Sequence, residues 1–320
     1  MASTINLLGN SGLAVPRSGY AKRMKRYLAE MYPVPTRLTL ATLTYFSTVA
    51  FLGRVHGTSN FTSPYYAFVG ITSLFSLMLI IRLMDELKDK EIDRALFPHR
   101  PLPSGRIFET DIIATMVVSG CIYLLANIMA GRVFWIALFV LAYACLMFKH
   151  FFIPEILRKS LLLTVATHNP LVAFMLLYVS ALFFSTAAIP LETIDWHATL
   201  LVILMNWATC LAWELARKIR CREEENTYET YSQIFGRLGA VGIALGTQTV
   251  TFSIGLYFAW ILSLSPLFVV LWSAAYAVPV AALIRFLHEP TPVTSRLGPY
   301  AEVYMLAILA VEAVENLFLP

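Results

Sequence analysis

Arg82, Glu86, Asp89 and Asp93 recur at helical spacing where a long apolar segment stops, in the run RLMDELKDKEIDRALFPHRPLPSGR that extends from Arg82 to Arg106. At 100° per residue their side chains lie within roughly 60° of one another, so a helix would present one cation and three carboxylates from a single face. Asp85 sits at the edge of that face. Carboxylates this close repel unless something positive lies among them, and oxygen ligands one and two turns apart suit a hard divalent cation such as Mg2+. Asp85, Glu86, Asp89 and Asp93 are therefore candidate metal ligands, and Arg82 a candidate for binding an anionic substrate. The alternative is a solvated helix end with Lys88, Lys90 and Arg94 as partners, which would be the default in an arbitrary protein. The following loop carries Pro98, Pro101, Pro103 and Gly105, which stop a helix and turn the chain. Within it His99, Arg100, Ser104 and Arg106 are donors suited to phosphate oxygens through charge-assisted hydrogen bonds. On spacing alone an ordinary basic flank explains them equally well.

A second charged stretch, WELARKIRCREEENTYETYSQIFG, covers residues 213–236. If its helix continues, Glu214, Lys218, Cys221 and Glu225 share a face with Arg217 beside them. Tyr228 and Tyr231 are candidates to hydrogen-bond phosphate or to line an entrance. A plain juxtamembrane helix with Glu-to-Lys pairs is the competing account. Further back, His168 and Asn169 precede Pro170 inside an apolar run, where a polar pair is costly and tends to face a cavity. They could touch a second substrate; a proline-loosened helix whose polar groups satisfy each other is as good an account.

The elements that must position these residues cross a membrane. Of 320 residues 58% are hydrophobic and 14% charged, and the mean hydropathy is +0.68, far from the balance of a soluble protein. Apolar runs can be placed near 37–54, 65–84, 111–130, 132–148, 160–184, 198–216, 238–262, 264–286 and 300–318, giving nine candidate spans of an all-α polytopic protein. Gly131-Arg132 and Ser263-Leu264-Ser265 read as tight hairpins, with merged long helices as the alternative. The loops that alternate to one side hold nearly all the lysines and arginines, and only Arg54 and Arg132 fall on the other. That asymmetry places the N-terminus, and both charged stretches, in the cytoplasm. Residues 1–34 contain no apolar core of signal-peptide type, so the first span is expected to act as its own insertion signal. Tyr20, Met24, Tyr27, Leu28 and Met31, interleaved with Lys22, Arg23, Lys25 and Arg26, describe an interfacial amphipathic helix, read first as an anchor. Glu302 lies near the start of the last run and Glu312 and Glu315 deeper. Carboxylates buried in lipid are functional suspects, but these two lie toward the outer end, and interfacial solvation is the account expected for them.

Several functions are excluded. Cys121, Cys145, Cys210 and Cys221 have no paired spacing, the histidines have no ligand spacing, and no Walker or dinucleotide glycine fingerprint occurs. The net charge of +4 follows from membrane topology and does not signal nucleic-acid binding.

DELKDKEIDR followed by HRPLPSG is similar to the first signature of the UbiA superfamily of intramembrane prenyltransferases, NDxxDxxxD followed closely by RPLPSG. Asp89 and Asp93 match the second and third aspartates, while Asp85 stands for the usual Asn and Glu86 for the first Asp. Lys149 and Pro154 in CLMFKHFFIP resemble the family's loop after the fourth helix, where Lys149 could reach a phosphate. The second stretch departs from the family's aspartate-rich pattern: Glu214 occupies its first acidic position, and Lys218 stands where Asp is expected. Thr230, Ser232 and Gly236 fit the later part.

The resemblance implies nine helices around a central cavity with a cytoplasmic cap, a prenyltransferase domain over 35–320 behind an N-terminal segment 1–34, and an integral protein of a plasma or inner membrane. It implies Mg2+ as cofactor and an isoprenoid diphosphate and a small-molecule acceptor as partners, with no obligate protein partner. Asp89, Asp93, Glu214 and Lys218 would carry catalysis. Arg82, Arg94, Arg100, Ser104, Lys149, Asn169, Arg217, Tyr228 and Tyr231 would contact substrates, and Lys218 with Arg217 would replace a second metal by neutralising diphosphate oxygens directly. The alternatives are a terpene cyclase that quenches the same allylic cation internally and a non-catalytic lipid-diphosphate binder or transporter. The nine-span topology predicts that a reporter fused after Pro320 is active only on the side opposite the N-terminus; a cytoplasmic reporter would overturn it.

Overall fold

The computed structural model describes residues 18–157, 159–225 and 229–318, and Tyr228 lies outside them. Every regular element among these residues is helical. In hydrocarbon only internal hydrogen bonds can satisfy a backbone, so apolar runs of this length fold as helices. The sequence marks where each begins. Ser63, Asp195 and Ser265 accept hydrogen bonds from the N–H groups of Tyr66, Ala198 and Phe268, and Pro64 and Pro266 open their helices at the position where no N–H is needed.

In chain order the helices are α1 (Tyr20–Met31), α2 (Val34–Val55), α3 (Pro64–Lys88), α4 (Lys90–Leu96), α5 (Glu109–Asn127), α6 (Val133–Phe148), α7 (Pro154–Leu157), α8 (Leu161–His168), α9 (Pro170–Thr186), α10 (Trp196–Ala216), α11 (Tyr231–Ile261), α12 (Pro266–His288) and α13 (Gly298–Phe318). Both expected hairpins form, between α5 and α6 and between α11 and α12, so neither pair merges. The expected 160–184 span is broken at Asn169, because Pro170 cannot donate to the ladder. Seven segments among the described residues are long and apolar enough to cross a membrane, counting α8 and α9 as one. Of the two other expected spans, α6 has 16 residues and α13 carries three glutamates.

The bundle packs α3 on α5, α2 on α13 and α10 on α11 most extensively. Its core is aromatic: Tyr45, Phe51, Tyr123, Tyr178, Phe183, Phe258 and Trp272 are buried in one cluster. One polar network there is closely paired. Asn127 donates to Ser73 Oγ at 2.7 Å and to the Tyr123 carbonyl at 2.8 Å, and accepts from Tyr178 at 2.7 Å, tying α5, α3 and α9. The expectation that Glu312 and Glu315 are solvated is overturned, since both are buried. Glu315 accepts from the Ser265 backbone N–H at 2.6 Å and hydroxyl at 2.5 Å, fastening α13 to the start of α12.

Close approach between α11 and α12 depends on Gly255. A Cβ there would lie 2.1 to 2.3 Å from ring atoms of the buried Trp272, whose indole also donates to the Phe252 carbonyl. Gly255→Ala is therefore expected to lower the thermal midpoint of the purified protein, with a destabilisation of about 1–3 kcal/mol from overpacking, whereas Gly242→Ala, which meets nothing within 4 Å, should leave it unchanged or raised.

Candidate functional site

α3 does not carry all four acidic positions as one helix. It ends at Lys88, and Asp89 both closes α3 and opens α4 with φ −96° and ψ 7°. The ladder nevertheless passes through the break, because Asp89 N–H bonds to Asp85 O at 2.9 Å and Asp93 N–H to Asp89 O at 2.8 Å. Glu86 and Asp93 thus remain together and buried.

Each is held by an arginine. Arg82 donates to Glu86 Oε2 at 2.5 Å, and Arg100, from the proline-rich loop, donates to both oxygens of Asp93 at 2.7 Å while its guanidinium covers the Phe97 ring at 4.1 Å. Lys88 pairs with Asp85 at 2.8 Å. The Asp89 carboxylate has no hydrogen-bond or ion-pair partner among the described residues. Burial holds its carboxyl above the usual range, opposed by the Lys88 charge and reinforced by Asp85 and Asp93. Glu86 Oε1 is likewise buried without a partner.

This arrangement corrects the expectation of four converging ligands: no three Asp, Glu, His or Cys among the described residues surround a common point. Basic side chains occupy three of the four carboxylates, as charges at a bilayer edge require. A Mg2+ site is still compatible with what is left. That ion keeps several waters and binds through one or two carboxylates plus substrate phosphates, and the uncommitted Asp89 carboxylate and Glu86 Oε1 are hard oxygen donors of that kind.

The α1 helix is part of this site. Tyr27, buried and with its phenol held protonated chiefly by burial, donates to Glu86 Oε2 at 3.3 Å. Arg23 grips Asp111 of α5 through two bonds of 2.7 and 2.8 Å. Arg106 grips Glu30 at 2.7 and 2.9 Å, and Tyr32 donates to the Phe75 carbonyl of α3 at 2.8 Å. The amphipathic pattern of α1 was legible, but its docking partners lie 43 to 88 residues away and no local spacing announces them. Two other expected contacts point elsewhere. Arg94 pairs with Glu91 on a face where the two side chains are 56% and 71% exposed, and Ser104 donates to the Arg100 carbonyl at 2.6 Å, closing its own loop.

The second stretch also departs from its expected form. α10 ends at Ala216, and Cys221 and Glu225 lie in irregular chain on either side of a short turn, so the four-residue face does not form. Only its first step survives: Lys218 and Arg217 pair with Glu214 at 2.8 and 2.5 Å, and Arg217 stacks on Trp213. The chain then returns through Tyr231, whose N–H bonds to the Lys218 carbonyl at 3.1 Å, into α11, capped by Thr230 and Gln233. Gly236, at φ 67°, bends α11 after its first turn, a conformation that suits glycine. No ion pair or hydrogen bond among the described residues joins the Glu214 cluster to the Glu86 and Asp93 cluster.

A third group gathers where α8 meets α9. Tyr143 donates to the Thr167 carbonyl at 2.7 Å and Trp207 to the Asn169 carbonyl at 3.2 Å, so α6 and α10 clamp the break. Lys149 lies over the Phe148 ring and leads into three residues with left-handed backbone, His150, Phe151 and Phe152, at φ 49°, 51° and 61°. Of the charges on neighbouring elements, those of Lys88 and Asp85 at the end of α3 act on the His168 ring.

No family model and no curated protein matches the sequence. Two solved structures resemble the fold across nearly all of it. One, described as digeranylgeranylglyceryl phosphate synthase, superposes with a TM-score of 0.64 at 15% identity, covering 93% of this chain and 100% of its own. The other, an apo UbiA homolog from Aeropyrum pernix K1, gives 0.61 at 13% identity, covering 87% and 96%. The chain has the fold of the UbiA superfamily.

Proposed function

We propose that this protein is an intramembrane prenyltransferase of the UbiA superfamily, transferring a prenyl group from an isoprenoid diphosphate to an acceptor. The observation that carries the proposal is the cluster at the end of α3. Within a UbiA fold, carboxylates at the end of α3 are paired with Arg82, Arg100 and Lys88, while among the described residues the Asp89 carboxylate and Glu86 Oε1 are left without partners. Buried oxygens are seldom left unsatisfied, and an unpaired carboxylate beside one is a ready acceptor for a cation.

In this reading nine helices cross the bilayer, with the motif loops on the cytoplasmic side and both charged clusters at that end. Asp89 and Glu86 would hold Mg2+, with Asp85 and Asp93 as the further candidate ligands. The ion would supply charge stabilisation to the departing diphosphate. The chain's own cations do the rest. Lys149, Lys218, Arg217 and Arg100 face the diphosphate oxygens, and guanidinium and ammonium donors aimed at the developing charge favour cleavage of the allylic C–O bond. Lys218 and Arg217 already sit on one acceptor, Glu214, and would exchange its oxygens for those of a bound diphosphate. The prenyl tail runs between helices into the hydrocarbon layer, where aromatic faces exclude water from the allylic cation.

Asp89→Asn is expected to lower Mg2+-dependent diphosphate release from geranylgeranyl diphosphate in isolated membranes about 100-fold or more, with Arg94→Ala near wild type; full activity in Asp89→Asn would sink the metal assignment. Lys218→Ala should weaken binding of inorganic diphosphate about tenfold, the loss of one charge-assisted hydrogen bond, and unchanged affinity would remove Lys218 from the site.

A further inference from the structure

The break between α8 and α9 leaves two hydrogen-bond acceptors without donors. Thr167 Oγ1 lies 2.8 Å from the Leu163 carbonyl and 3.1 Å from His168 Nδ1. A hydroxyl has one proton, and the carbonyl can only accept, so the proton goes to Leu163. The Thr167 oxygen must then accept from Nδ1–H. That fixes the tautomer and leaves His168 Nε2 with a lone pair. This nitrogen is buried and has no hydrogen-bond partner, and the same holds for Asn169 Oδ1 on the next residue.

An orphaned buried acceptor costs free energy unless something donates to it, and here consecutive residues each carry one. Their surroundings are aromatic and held in place from three sides. Phe151 meets the His168 ring edge-on at 6.0 Å, and its left-handed backbone is a conformation most residues avoid, held at the end of α6 against the α8–α9 break. Tyr143 and Trp207 clamp the carbonyls on either side. His168 lies about 10 Å along α8 from its first residue, and the charges that reach it are those of Lys88 and Asp85 at the end of α3 and His150 on the adjoining turn. A diphosphate held at the α3 end would bring the first carbon of its prenyl chain toward this break.

We propose that His168 and Asn169 seat the acceptor, that the acceptor is a hydroxyl compound, and that His168 Nε2 takes its proton as the prenyl group is transferred to oxygen. The inference rests on the prenyl-transfer reading above. In the step, the allylic C–O bond breaks and its electron pair leaves with the diphosphate. The acceptor oxygen bonds to the allylic carbon, its O–H bond breaks, and the proton moves to Nε2. Asn169 Oδ1 receives a second hydrogen bond from the acceptor and orients it. No oxidant or reductant is required.

The test uses membranes carrying the full-length protein, Mg2+, labelled geranylgeranyl diphosphate and, in turn, 4-hexylphenol and its methyl ether, with bilayer lipids and water also present as acceptors. Label is expected in oxygen-linked products, with the methyl ether inert. His168→Ala and His168→Gln should both lower oxygen transfer about 100-fold, within the range lost with a general base, although glutamine still hydrogen-bonds. Binding of the unreactive geranylgeranyl S-thiolodiphosphate and the thermal midpoint should stay as in wild type, which separates a proton acceptor from a structural residue. Wild-type oxygen transfer in both variants would overturn the proposal, as would label found only in new carbon–carbon bonds or hydrocarbon. Asp89→Asn separates the two levels: diphosphate release that depends on Asp89 but not on His168 removes only the acceptor seat, and no release by the wild-type protein removes the prenyl-transfer reading with it.

Discussion

A charge at the edge of the hydrocarbon layer must be paired or neutralised, and that constraint organises one end of this bundle. Arg82 on Glu86, Arg100 on Asp93 and Lys88 on Asp85 each answer a carboxylate that α3 and α4 present. Removing one partner of such a pair would leave a buried charge uncompensated, which is more damaging than the pair itself is stabilising. The pairing therefore defines what is left over. The Asp89 carboxylate has no ion-pair partner among the described residues, and Glu86 commits only one oxygen. Function in this account belongs to the remainder: the oxygens the protein's own cations do not satisfy.

The same constraint reaches α1. An amphipathic helix at an interface could simply float on lipid headgroups, but two-bond arginine pairs fix this one at both ends, Arg23 to Asp111 and Arg106 to Glu30. Paired forks of this kind set orientation as well as position, and the result is that Tyr27 points at Glu86. A segment that reads as an anchor becomes a wall of the site. At the other cluster the balance of charge is inverted: Arg217 and Lys218 share the single carboxylate Glu214, so there cations are in excess and an incoming anion has something to displace.

Much of the fold was legible because bilayer thickness converts directly into run length, and because Ser and Pro mark helix starts chemically. That the carboxylates gather at the end of α3 was legible for the same local reason: residues three and four apart on a helix are neighbours. Local spacing fails where the backbone turns. The apolar run before Glu214 gave no sign that α10 stops at Ala216, so a face extended to Cys221 and Glu225 was expected and does not exist. It fails also across distance, since Tyr27 and Glu86 are 59 residues apart. Glu312 and Glu315 misled in another way. Glutamates near the end of a chain suggest solvent, yet Glu315 is consumed by the cap of α12. Arg94 and Ser104 carried the right chemistry for phosphate and were taken up by Glu91 and by the loop itself.

The central claim is that the unsatisfied oxygens at the end of α3 hold a divalent cation that activates an isoprenoid diphosphate. It is tested most directly by following diphosphate release from labelled geranylgeranyl diphosphate by the purified protein, first after chelation with EDTA and then on titrating Mg2+ back. Release that stops with EDTA and returns in a saturable manner with Mg2+ is the predicted result. Release indifferent to chelation, or recovery of intact geranylgeranyl diphosphate at every Mg2+ concentration, would contradict the account.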